Sequence, residues 1–208
     1  MLATATELDA EYEVCDVSDR AEVDALAERV RARHPQIKLL VNNAGVAGRG
    51  NFLDLPPERI EELVRINYLG SVWCLRAFLP ALEAAAPAHL VNVVSVAGAV
   101  PLGPYSASKH AQVAFSRSVA SELQPRGIRV LTVNPGFVQT EGFDQARLRS
   151  GRFGRIVVDA EYVAKRIVRA IERDSAEIFV PRWYRAAALA EAFRPGIFGR
   201  ARARRRQR

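Results

Sequence analysis

Lys38-Leu39-Leu40-Val41-Asn42-Asn43-Ala44-Gly45 reads as a short buried strand, Lys38 to Asn42, running straight into a polar, glycine-containing loop. That junction decides the fold because it recurs. Glu13 to Asp16 resembles a strand end, His89 to Ser95 and Ile128 to Asn134 read as strands that finish in polar residues, and Glu177 to Val180 is a last strand. Helical periodicity fills the intervals. Ser18 is expected to cap a helix through Arg33 with Val23, Leu26, Ala27 and Val30 on one face. Pro57 opens a helical stretch to Ala86, bent or broken around Asn67 to Gly70 and again at Pro80. Tyr105 to Gln124 is a helix ended by Pro125 and Gly127, and Ala160 to Arg173 is amphipathic with Val163, Ile167, Val168 and Ile171 inward. Strands alternating with helices imply an α/β, doubly wound parallel sheet.

Composition agrees with one such domain: 208 residues, 49% of them hydrophobic. Two cysteines, Cys15 and Cys74, form no disulfide framework, which suits a reducing compartment. The most apolar helix, Val72 to Ala86, is interrupted by Arg76, Pro80 and Glu83 and is too short to span a bilayer. The N-terminus has no basic-then-apolar signal, so a cytoplasmic protein is expected. The net charge of +7 suggests nucleic acid until it is localised. Nine arginines against Glu191 lie from Arg182 onward, leaving the rest near neutral. Residues 1–181 are therefore read as the domain and 182–208 as a basic tail, with no nucleic-acid partner and no metal site expected.

In a sheet of this kind ligands bind outside the carboxyl ends of the strands. Asp16, Asn42-Asn43-Ala44-Gly45, Ser95 and Asn134-Pro135-Gly136 collect at those ends. Each alone is ordinary turn chemistry; together they describe a crevice. Tyr105-Ser106-Ala107-Ser108-Lys109 follows Gly103-Pro104 at a helix start, so the phenol and the ammonium share one helix face. A free phenol has a pKa of about 10, and a nearby ammonium brings its proton exchange toward neutrality.

These residues resemble the classical short-chain dehydrogenases/reductases from about Val14 to Val180. The resemblance implies a Rossmann-like fold, NAD or NADP as cofactor, and interconversion of an alcohol and a carbonyl by hydride transfer. It implies that Asp16 and Val17 meet the adenine, and that Asn43, Ala44 and Gly45 line the cofactor. Asn67 in Ile66-Asn67-Tyr68-Leu69-Gly70 matches the tetrad asparagine, positioning a water that relays protons to Lys109. Ser95 matches the substrate-orienting serine and Tyr105 the acid/base. Lys109 would hold the nicotinamide ribose and depress the Tyr105 pKa. Pro135, Gly136, Val138 and Thr140 would flank the nicotinamide. A homo-oligomer is also implied.

Two departures stand out. The family opens with a strand and a Thr-Gly-x-x-x-Gly-x-Gly turn whose helix amides bind the pyrophosphate, and these 208 residues hold no such turn. The expectation is an N-terminally truncated sheet lacking its first βαβ unit, with a strand missing between Asp16 and Asn42. A catalytically impaired interaction module is then the alternative to an enzyme. Ser95 and Tyr105 are also only ten positions apart. Ten residues span up to about 33 Å, so the hydroxyls can meet, but the Ala99 to Pro104 loop would reshape one wall of the pocket. Substrate identity is expected in Val46, Ala47, Val96, Ala97 and the segment Glu141 to Val158, where Phe143, Leu148 and Phe153 suggest an apolar alcohol or ketone. A third reading makes the tail a membrane-surface helix through Trp183, Tyr184, Leu189, Phe193, Ile197 and Phe198.

Overall fold

The computed structural model describes residues 7–48, 50–101, 103–139 and 157–199. Among them the strands are β1 (Leu39–Asn42), β2 (Ala88–Val93), β3 (Ile128–Pro135), β4 (Phe137–Gln139), β5 (Val157–Asp159) and β6 (Glu177–Val180). The helices are α1 (Arg20–Arg33), α2 (Pro57–Val64), α3 (Gly70–Ala84), α4 (Pro104–Leu123), α5 (Ala160–Glu172) and α6 (Tyr184–Phe193). The main sheet runs β1-β2-β3-β6, wholly parallel, and β4 pairs with β5 in a second, two-stranded parallel sheet. This is the Rossmann-like α/β architecture expected.

Alternation along the central strands sends neighbouring side chains to opposite faces. Leu90 and Val130 meet Leu75 and Leu82 of α3 and Leu123 of α4 on one face. Val91, Leu131 and Val133 meet Ala170, Ile167 and Ile171 of α5 on the other. The register pairs Asn42 with Asn92, Val93 with Val133, and Pro135 with Val180. Residues 43–48, 94–101 and 136–139 therefore leave the sheet at the same end, which gathers the site.

Four expectations need correction. Glu13 to Asp16 joins no sheet: Glu13 takes hydrogen bonds from Arg29 and Arg33 at 2.8 and 2.7 Å, so the segment lies along α1 instead of beside a strand. β1 forms as expected but is poorly buried, with Leu39 and Val41 44% and 43% exposed, because β2 is its only sheet partner among the described residues. Asp19, not Ser18, caps α1, accepting from the amides of Ala21 and Glu22. α3 runs through Pro80 without a break. Proline faces outward there while Phe78, Ala81 and Leu82 are buried, and that burial outweighs a lost hydrogen bond costing about 3 kcal/mol.

The inward face of α5 holds Val163, Ile167 and Ile171 as expected, but not Val168. Val163 and Ala170 are buried, whereas Val168 is 54% exposed. Val163→Ala should cost about 2 kcal/mol of unfolding free energy in urea, and Val168→Ala no more than about 0.5. Equal losses would contradict this packing.

Candidate active site

One turn of π-helix, Arg65–Leu69, joins α2 to α3 and turns Asn67 inward, where it is fully buried. Such single π turns carry one extra residue and often mark functional positions. Asn67 Oδ1 accepts from the Val46 amide at 2.9 Å, while Nδ2 donates to the Val46 carbonyl and to Ser108 Oγ, both at 3.1 Å. The side chain thus serves as a strand partner for the loop after β1 and fastens that loop to α4. A Cβ at Gly45 would lie 3.0 Å from Asn67 Oδ1 and 3.4 Å from Lys109 Nζ, so the loop backbone passes right beside the ammonium.

The start of α4 is equally constrained. Gly103 sits at φ +120° just before it, and a Cβ there would stand 2.8 Å from the Gly50 carbonyl oxygen. Ser106 Oγ bonds the carbonyls of Ala97 and Val100. A Cβ at Gly98 would come within 2.9 Å of the Lys109 carbonyl, so the 3-10 turn Val96–Ala99 lies flat on α4. These contacts close the short link between Ser95 and Tyr105. Ser95 Oγ accepts from the Ala97 amide at 3.1 Å and keeps its own proton for a partner.

Burial pushes the Tyr105 phenol above its ordinary value, and the Ser95 hydrogen bond opposes the shift. Lys109, 4% exposed, donates to the Val93 carbonyl at 3.3 Å and to Gln112 Oε1 at 2.9 Å. Burial lowers its pKa to about 8. The expected depression of the Tyr105 pKa by Lys109 is therefore not met. The ammonium is itself desolvated and bound to Val93 and Gln112, and burial governs the phenol.

A buried polar seam around these groups went unread in the sequence. Gln112 Nε2 donates to Ser71 Oγ at 2.8 Å, and Asn42 Nδ2 donates to the Ser71 carbonyl at 3.3 Å and to Asn92 Oδ1 at 2.9 Å. Asn92 Nδ2 then donates to Ser116 Oγ at 2.9 Å, which lies 2.7 Å from Thr132 Oγ1. The signal was present: Ser108, Lys109, Gln112 and Ser116 recur at helical spacing on α4. A polar helix face reads as outward, and this one points in.

The remaining expected positions have surroundings of their own. Asp16 opens on a cleft of about 480 Å³ with Ser18, Asp19, Arg20, Arg65, Leu69 and Trp73. The Ser18 amide, 2.8 Å from Asp16 Oδ1, holds its carboxyl below the usual range. Val17 packs against Gly70. Asn43, Ala44 and Gly45 are exposed, Pro135 is buried, and Val138 pairs with Val158 in the small sheet. Gly136 is covered by the ring of Tyr184, whose Cε2 would stand 2.1 Å from a Cβ there. The presumed tail thus begins as a helix packed on the domain, with Tyr184 buried and Trp183, Leu189 and Phe193 exposed. Thr140 and most of the Glu141 to Val158 segment lie outside the described residues. A second cavity of about 760 Å³, lined by Phe52, Val100, Pro101, Ala107, His110 and Glu191 among others, flanks α4 without reaching Tyr105 or Ser95.

The dinucleotide implied by the resemblance fits the arrangement at its ribose end. Glycine at position 45 leaves the loop backbone low beside Lys109, whose ammonium has a donor beyond the two already engaged.

Residues 2–150 match the short chain dehydrogenase family. Epidermal retinol dehydrogenase 2 of Mus musculus is 33% identical over 175 residues, covering 81% of this chain and 56% of that protein. The 17-beta-hydroxysteroid dehydrogenase 13 of Rattus norvegicus is 33% identical, covering 88% and 61%. Retinol dehydrogenase 10-B of Danio rerio is 35% identical, covering 81% and 52%, so the chain spans about half the length of such relatives. Among solved structures, a short-chain dehydrogenase from Streptomyces avermitilis superposes with a TM-score of 0.77 at 24% identity, covering 98% of this chain and 83% of that one.

Burial of Lys109 has a consequence for stability. Its folded pKa, about 8, lies below the ordinary 10.5, so between those values the unfolded chain binds more protons and folding strengthens as pH rises. Relative to Lys109→Met, the wild type should gain stability between pH 8 and about 10 in urea unfolding. A constant difference would contradict the buried charge.

Proposed function

The chain belongs to the short chain dehydrogenase family, and from that premise we propose that it interconverts an alcohol and a carbonyl compound with NAD or NADP. The observation that carries this reading is Lys109, buried one helical turn along α4 from Tyr105 with its ammonium beside the Gly45 backbone, and Ser95 just past the end of β2. When bound, the nicotinamide supplies or accepts the hydride.

Tyr105 gives its proton to the substrate oxygen in reduction and takes it back in oxidation. Its raised pKa keeps the phenol protonated through neutral pH. Ser95, whose oxygen already accepts from the Ala97 amide, would turn its hydroxyl proton to the same oxygen and so orient the reacting carbon. Lys109 offers its remaining N–H to the ribose hydroxyls, and Asn67 acts by fastening the loop that passes it. Asn43, Ala44 and Gly45 would line the cofactor, with Asp16 and Val17 holding its adenine end and Pro135, Gly136 and Val138 its nicotinamide end. The substrate in this reading is a small apolar alcohol or ketone, in keeping with the retinol and hydroxysteroid dehydrogenases among its relatives.

Tyr105→Phe should lower turnover of such an alcohol by about 100-fold or more while leaving the circular dichroism spectrum unchanged. Retained turnover would overturn the assignment. Because oxidation needs the phenolate and burial raises the Tyr105 pKa, kcat/KM for oxidation should rise steadily on the alkaline side of neutrality. A profile that falls there would place the acid/base elsewhere.

A further inference from the structure

Among the described residues, Lys109 is the one charged side chain in the buried interior. An ammonium has donors only, so the neighbouring side chain must present an acceptor. Gln112, fully buried one turn further along the same helix, does so with Oε1 at 2.9 Å. That choice leaves its Nε2 hydrogens pointing the other way, and one meets Ser71 Oγ at 2.8 Å. Ser71 lies at the start of α3, where Asn42 also bonds its carbonyl at 3.3 Å. The amide is clamped between two helices, with its oxygen aimed at the ammonium.

We propose that Gln112 is the positioning residue for Lys109, holding the ammonium against the Val93 carbonyl and beside Gly45. This deepens, and rests on, the oxidoreductase reading of the same site. An apolar side chain of similar volume would fill the space but leave one ammonium donor unpaired in the interior. The titratable and charged side chains on the elements packed against α4 are Glu58, Arg59, Glu61 and Glu62 on α2, Arg65 and Tyr68 on the π turn, Arg126 on the 3-10 turn that follows α4 and Arg129 on β3, with Tyr105, His110, Arg117 and Glu122 on α4 itself. None of them enters the cause of the low Lys109 value, which is burial. Gln112 Oε1, the side-chain acceptor 2.9 Å from the ammonium, is the group whose replacement acts on its protonation.

The chain has three lysines, Lys38, Lys109 and Lys165, so carbon-13 NMR of lysine labelled at Cε resolves each titration, with Lys38→Arg and Lys165→Arg giving the assignment. Lys109 should titrate near 8 in the wild type. In Gln112→Glu an opposite charge replaces a neutral acceptor, and the midpoint should rise by about one pH unit or more. In Gln112→Met it should fall by about half a unit or more. Ser71→Ala, which frees the amide, should move it in the Met direction. A Lys109 midpoint unmoved in Gln112→Glu, with the Lys38 and Lys165 signals as in wild type, overturns the proposal even if Gln112→Met fails to fold. The titration needs neither cofactor nor turnover. An inactive wild type would refute the oxidoreductase reading and leave the Gln112 result standing, whereas an unmoved midpoint refutes Gln112 alone.

Discussion

A cation without water is the constraint on which the rest of this structure turns. Moving the Lys109 pKa from 10.5 to about 8 corresponds to a cost on the order of 3 kcal/mol for keeping the ammonium charged in its site. The fold offsets that cost with fixed acceptors. The Val93 carbonyl comes from the end of β2, and the Gln112 amide from α4 is held in turn by Ser71 on α3. Each acceptor belongs to a different element, so the charge reports on how sheet and helices dock.

The same logic explains the crowding around it. Gly45 and Gly98 let a loop and a 3-10 turn approach α4 to distances a side chain would forbid, and Asn67 takes up the amide and carbonyl of Val46 that no strand satisfies. Asn42, Asn92, Ser116 and Thr132 carry the polar seam through the middle of the sheet layer. The side chains of Asn67, Asn42, Asn92, Ser116 and Thr132 are buried, and leaving a partner out would cost about 1–3 kcal/mol each. A packed apolar interface would be simpler; what the seam adds is a defined orientation for the face of α4 that bears Tyr105 and Lys109.

Much of this was legible in the sequence where the signal is local. Strand-to-loop junctions at Asn42, Ser95 and Asn134, the interruption near Asn67, and the Tyr105 to Lys109 spacing each depend on neighbours a few residues away. What depended on tertiary context was misread. Glu13 to Asp16 has strand-like residues, but ion pairs to α1 hold it out of the sheet. Pro80 looks like a helix breaker until the burial of Phe78 and Leu82 is counted. Val168 and Ala170 trade places on α5 because the face is set by what packs on it. Gln112 and Ser116 were hidden by the habit of reading polar helix positions as solvated, and the setting of Lys109 depended on a partner no motif includes.

In the proposed function this buried lysine and the Asp16 cleft serve one dinucleotide. Trp73 lines that cleft, so in a Trp183→Phe background its fluorescence reports occupancy directly. Titration with NADH and with NADPH should give saturable quenching of Trp73 by at least one of them, weakened about tenfold or more in Lys109→Met. Absence of quenching in the folded protein, or equal binding with and without Lys109, would contradict the account.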